Sequence, residues 1–191
     1  MLENVMAKKK GVGALFLSKN TKEETVAILQ IRGKWNTEKN APESWPGACQ
    51  ATVHGGLKEG EDFIQALLRE TAEELGDEIV PVIQLLLETK KLKELINKDT
   101  PERQDIVYGA IVEKDVLATL LNKKKSSSFG GFKLVRRDNI NQIVDLKKYD
   151  RITGVTDADI IAMFPDEKEA VRLAFEKLGN RLKNGSLASV F

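Results

Sequence analysis

Cysteine is almost missing from these 191 residues, with Cys49 the only one. A single thiol excludes an internal disulfide and fits a reducing compartment, so a cytoplasmic location is expected. A surplus of one charge is missing too. The 30 Lys and Arg nearly balance 29 Asp and Glu, giving a formal +1, which argues against broad electrostatic attraction to nucleic acid or membrane. No stretch approaches the roughly 20 apolar residues that span a bilayer. The short apolar run after "MAKKK" alternates with glycine and lacks a convincing cleavage site, so it is expected to be a first strand, not a secretion signal. Internal repeats are absent, and low complexity is confined to "KKKSSSFGG". The length suits one domain over 1–191, with a loose tail from about residue 184. Any partner must be recognised by a local site.

What is present alternates strand with helix. "GVGALFLS" (Gly11 to Ser18) and "ETVAILQIR" (Glu24 to Arg32) are β-rich runs around the polar "KNTKE", the pattern of a hairpin. Residues 33–47 hold Trp35, Pro42, Trp45 and Pro46 and predict an irregular polar loop. "CQATV" (Cys49 to Val53) is a short strand candidate, and a helix follows from Asp62 to Leu75 with Gly76 as its stop. "IVPVIQLLLETKK" (Ile79 to Lys91) is β-rich at its start, and "KLKELINK" suggests a turn of helix. "DIVYGAIVE" and "GFKLVRR" predict strands, and "DVLATLLNK" predicts a helix begun by Asp115. In "DEKEAVRLAFEKLGNRL", Asp166 and Glu169 have capping-box spacing. Val171, Ala174, Phe175, Leu178 and Leu182 there form a stripe that should pack on a sheet.

The stretch "GGLKEGEDFIQALLRETAEELGD" (Gly55 to Asp77) crowds three acids onto its helix. At about 100° per residue, Ile64, Leu68, Thr71 and Leu75 share the face expected to enter the core. Glu70, Glu73 and Glu74 occupy the neighbouring arc at the edge of that core, with Arg69 on the far side of Glu73. Like charges at this spacing repel by a few tenths of a kcal/mol per pair. A hard divalent cation bound to carboxylate oxygens reverses that penalty, and Mg²⁺ is the expected ion, with Mn²⁺ suited to the same ligands. Gly55 and Gly56 permit close backbone approach to a ligand, and Gly60 permits the turn into the helix.

Gly55, Glu61, Arg69, Glu70, Glu73, Glu74 and Gly76 fill all seven fixed positions of the Nudix box, G-x5-E-x7-R-E-U-x-E-E-x-G-U. Thr71 and Asp77 stand where bulky aliphatic residues are usual. The chain therefore resembles the Nudix hydrolases. That resemblance implies an α/β fold, an α/β/α sandwich around a mixed sheet, and metal-dependent hydrolysis of a nucleoside diphosphate linked to another group. It further implies Glu70, Glu73 and Glu74 as metal ligands, Glu70 as a candidate base, and Arg69 as the residue that orients a box glutamate. Glu61 would be a supporting acid. In some relatives the base lies in a distant loop, for which Glu102 and Glu113 are the stand-ins. The alternative is a nucleotide-binding or sensor module without turnover, but such modules tend to have lost box glutamates that are all present here. The expected partner is a small nucleotide derivative, with no nucleic acid and no membrane, and a homodimer is left open. Around Leu92 to Leu95 neither the proline of ADP-ribose hydrolases nor the tyrosine of dinucleoside polyphosphate hydrolases is found, so the substrate stays open. Outside the box, the His54 carbonyl is a candidate ligand, and Cys49 is expected in the core. Trp35 and Trp45 either stack on a base or close the core. The lysines of "NKKKSSSFGGFK" are expected in a solvated turn rather than folded over phosphates.

Overall fold

A computed structural model of the chain describes residues 8–37 and 39–180. Leu182 and the tail expected from about 184 lie outside these. Strands β1 (Lys9–Lys19) and β2 (Thr25–Arg32) form the expected hairpin, pairing from Phe16↔Ile28 to Lys19↔Thr25. Short pieces follow as β3 (Trp35–Asn36), β4 (Ala41–Pro42), β5 (Cys49–Gln50) and β6 (Val53–Gly56). Helix α1 (Phe63–Glu74) carries the box acids, and α2 (Val80–Glu88) follows it. Then come β7 (Lys93–Asp99), β8 (Arg103–Ile111), α3 (Lys114–Asn122) and β9 (Phe129–Arg136). The small parallel pair β10 (Val144–Asp145) and β11 (Ala162–Met163) precedes α4 (Pro165–Lys177).

The main sheet is mixed: β1 and β8 run parallel, whereas β1–β2, β7–β8 and β2–β9 are antiparallel. Both faces are covered, so β1 is buried from Gly11 through Ser18 and its side chains alternate between two cores. Ala14 and Phe16 join Leu67, Ile83 and Leu120 of α1, α2 and α3, while Leu15 and Leu17 join Val171, Ala174 and Phe175 of α4. The result is the α/β/α sandwich expected from the sequence. A third, smaller core gathers Ala48, Leu146, Val155 and Ala162 beneath Trp45 and Phe164.

The feature that positions the site is a split between β1 and β2. Where they diverge, β5 continues against β2 (Gln30↔Gln50) and β6 against β1 (Gly13↔His54). Thr52 sits at the fork, its hydroxyl accepting from the Phe16 N–H at 2.9 Å and donating to the Ile28 carbonyl at 2.6 Å. "CQATV" is thus two strand fragments, not one, because no single register serves both neighbours.

Other expectations also change. "IVPVIQLLLE" is helical: Pro81 stands in the first turn, where its missing N–H costs nothing, and Ile83 and Leu86 bury against α1. "KELINKD" is an edge strand on β8 with a register shift between Glu94 and Ile96, not a turn of helix. Helix α3 begins at Lys114 after Glu113, and Asp115 lies inside its first turn. The Asp166/Glu169 capping box does not form, since Phe164 is the N-cap and Pro165 opens α4, leaving Glu169 to pair with Arg172 at 2.8 Å. The loop over 33–47 contains the short β3–β4 pair.

Candidate active site

Helix α1 starts where Asp62 accepts from the Ile64 and Gln65 N–H groups, both at 2.8 Å, while the Gln65 side chain accepts from the Asp62 N–H at 2.9 Å. This reciprocal cap fixes the first turn, and Gly76 (φ 112°) ends the helix after Leu75. Its buried face is rotated from the one expected: Ala66, Leu67, Glu70 and Thr71 are buried, and Ile64 and Leu68 only partly so. Thr71 fits the core because its hydroxyl donates to the Leu67 carbonyl at 2.7 Å. Glu70 therefore lies inside the packed face and not at its edge.

Gly55 explains how a carboxylate is accommodated there. A Cβ on Gly55 would stand 1.8 Å from Glu70 Cδ and 2.0 Å from its Oε1, so Glu70 occupies the space that any side chain at 55 would fill. Arg69 completes the enclosure. Its Nη1 donates to Glu70 at 2.7 Å and to Glu73 at 3.1 Å, its Nε to Glu61 at 2.7 Å, and its Nη2 to the Gly56 carbonyl at 2.7 Å. Arg69 thus ties three acids to the strand that leads into the helix. That fork holds the Glu61 carboxyl down to about 2, helped by the Lys58 N–H, and Glu61 raises the Arg69 guanidinium further above its ordinary range.

Glu74 has a different environment. It accepts from the His54 N–H at 2.9 Å. Burial pushes its carboxyl up to about 8, against the His54 N–H, and the nearby Glu70 charge adds to the rise. Gln30 hydrogen-bonds Glu74 and is in turn held by Gln50 at 2.7 Å, which accepts from Arg32 at 3.0 Å. Glu73 is exposed, held by Arg69 and by Lys58 at 3.2 Å. Among the described residues no three His, Cys, Asp or Glu side chains already form a metal cage. The donors nevertheless suit a hard cation: all are oxygens, and Glu70 and Glu74 crowd together where a positive charge would relieve both burial and mutual repulsion. Bringing in Glu73 requires its side chain to leave Lys58.

Two cavities take in residues of this region. One, of about 460 Å³, is lined by Glu70, Glu73 and Glu74 together with Trp35, Lys123 and Lys124. The expected solvated lysine turn is thus a wall of the box cavity. The other, of about 540 Å³, lies toward α4 and takes in Trp45, His54, Lys98, Phe164 and Glu167. The His54 ring turns toward Glu167, with Nε2 and Oε1 3.7 Å apart. Glu167 accepts from the Ala51 N–H at 2.7 Å, and burial raises its pKa. Glu102 lines this second cavity, Glu113 lines neither, and neither residue stands among the box acids. Cys49 is buried in the core, with its thiol pushed up to about 11 by burial. Trp45 is packed, edge-on to Phe164 at 5.0 Å and under the Arg151 guanidinium. Sequence reasoning passed over Gln30, Arg32, Gln50 and Glu167. Their only trace is polarity where "ETVAILQIR" and "CQATV" are otherwise rich in apolar residues, and an acid in the first turn of α4.

Comparison with known proteins agrees with this fold. The fold is similar to a MutT/Nudix family protein from Listeria innocua, at 13% identity, covering 92% of this chain and 97% of that one, with a TM-score of 0.57. It is also similar to the NUDIX domain of Shewanella oneidensis NrtR, solved with ADP ribose, at 16% identity, covering 90% and 89%, with a TM-score of 0.52. No curated protein matches the sequence. The family model for the NUDIX domain matches residues 7–152, which include the whole box and both walls of the acid-lined cavity, and the chain belongs to the Nudix family of hydrolases that act on pyrophosphate bonds.

Proposed function

We propose that this Nudix protein is a Mg²⁺-dependent pyrophosphohydrolase of a nucleotide derivative, with Glu70, Glu73 and Glu74 as metal ligands and Glu70 also as the base that prepares the attacking water. The observation that carries this reading is the convergence of Glu70 and Glu74 on the β6 backbone, one seated over Gly55 and the other on the His54 N–H. Two acids so placed are unfavourable unless a cation is shared. When bound, such an ion neutralises phosphate oxygens and favours the attacking oxygen and the leaving group. Arg69 holds Glu70 in place and keeps Glu73 within reach, so the main rearrangement when the ion binds is release of Glu73 from Lys58. Buried Gln30 supplies a neutral hydrogen bond that keeps Glu74 oriented without cancelling its charge. The second cavity has the size that small ligands fill, and in this proposal it takes the group beyond the pyrophosphate.

The test is turnover of nucleoside triphosphates, sugar nucleotides, ADP-ribose, NAD and dinucleoside polyphosphates with Mg²⁺ or Mn²⁺, repeated with Glu74→Gln. Hydrolysis that needs the ion and is lost in the variant is the expected result. Tight binding with no turnover of any substrate would instead identify a sensor module.

A further inference from the structure

We propose that Lys123 and Lys124 hold the phosphate chain of the substrate, and that their charge selects substrates ending in a free phosphoryl group over diphosphates substituted at both ends. This rests on the pyrophosphohydrolase assignment above and names the substrate class of that site. Both lysines line the cavity that contains Glu70, Glu73 and Glu74. Among the described residues neither ammonium has a carboxylate partner. The Lys123 ammonium lies over the Phe129 ring, 5.9 Å from its centroid.

Their loop is a built wall. The Ser127 carbonyl accepts from the Lys34 N–H at 2.7 Å and from the Trp35 N–H at 2.9 Å, and the Ser126 N–H donates to the Phe129 carbonyl at 2.9 Å. The contact is so close that a Cβ on Gly33 would stand 2.3 Å from the Ser127 oxygen. Phe129 is buried and packs on Phe132 with ring centroids 5.0 Å apart. The two lysines therefore line the box cavity from a fixed base.

Charge decides the class of ligand. A diphosphate esterified at both ends carries one negative charge per phosphate, which one divalent cation balances. A chain ending in a free phosphoryl group carries up to one further negative charge on that group, and longer chains carry more. Ammonium groups without a carboxylate partner, lining the same cavity as the acids, match that surplus. They would strengthen binding more for a nucleoside triphosphate than for ADP-ribose.

The experiment uses the full chain with Ca²⁺ and measures binding of the α,β-methylene analogue of ATP and of ADP-ribose by calorimetry. The proteins are the wild type, Lys123→Gln/Lys124→Gln, the rescue pair Lys123→Arg/Lys124→Arg, and a control pair Lys147→Gln/Lys148→Gln elsewhere on the surface. The expected result is that the glutamine pair weakens the triphosphate analogue by about tenfold or more and ADP-ribose much less. The arginine pair should restore most of the loss, and the control pair should change neither ligand. Equal weakening of both ligands, no weakening of the triphosphate, or a wild type that binds neither would overturn the inference. Binding is read without turnover, so the two proposals fail separately. An inactive protein that shows the selective loss retains this inference and loses the hydrolase assignment, and an active one without the loss does the reverse.

Discussion

Replacing Glu74 with Gln tests the electrostatic core of the site. Burial lifts its carboxyl from 4.5 to about 8, with Glu70 adding to the rise. Between those two values the folded protein binds more protons than the unfolded chain, so stability of the metal-free protein falls as pH rises through this window and levels off above it. A shift of about 3.5 pKa units corresponds to a ceiling of about 5 kcal/mol at 1.36 kcal/mol per unit. Glu74 is only partly buried, and screening by water brings this to about 2–3 kcal/mol. Gln mimics the protonated acid and still accepts from the His54 N–H, so the variant lacks the penalty. Urea titrations from pH 5 to pH 9 in chelator should show the variant gaining on wild type up to about pH 8 and keeping a lead of about 2–3 kcal/mol above it. Mg²⁺ should reverse the order, stabilising the wild type most at high pH, where Glu74 gives up its proton to become a ligand. A difference between variant and wild type that stays flat across the range would refute the buried-acid argument.

Gly55→Ala should leave far-ultraviolet circular dichroism unchanged but cut turnover by about 10²-fold, because the new methyl group displaces Glu70. Arg69→Lys should lower activity or metal affinity by about 10- to 100-fold, since an ammonium cannot serve Glu61, Glu70, Glu73 and the Gly56 carbonyl together; steady-state kinetics against Mg²⁺ concentration measures it. Glu167→Ala should destabilise the protein by about 1–3 kcal/mol in urea by orphaning the buried Ala51 N–H, whereas Glu167→Gln, which keeps an acceptor, should lose much less.

How far the sequence discloses this architecture depends on whether each signal is local. The box helix, its glycine stop and the β1–β2 hairpin are set by residues a few positions apart, and the structure places them within one or two residues of where the pattern does. The strand at 93–99 and the helix at 80–88 were missed for one reason. "IVPVIQLLLE" and "KELINKD" have weak intrinsic preference, and their states are decided by α1 on one side and the free edge of β8 on the other. The same limit explains the site. Spacing brings Glu70 and Glu74 to one side of a helix, but it cannot say which is enclosed, because Gly55 and His54 reach them only through the fork between β1 and β2. Nor can it put Lys123 into the cavity of Glu70, since that placement depends on Ser127 docking onto the backbone of Lys34 and Trp35, more than ninety residues earlier. The box carries the chemistry because one continuous stretch, residues 55–77, contains it. With Lys123 and Lys124 acting as proposed, selectivity comes from segments that only the folded sheet brings together, so substitutions outside residues 55–77 should change which nucleotide is bound far more than whether the pyrophosphate can be cleaved.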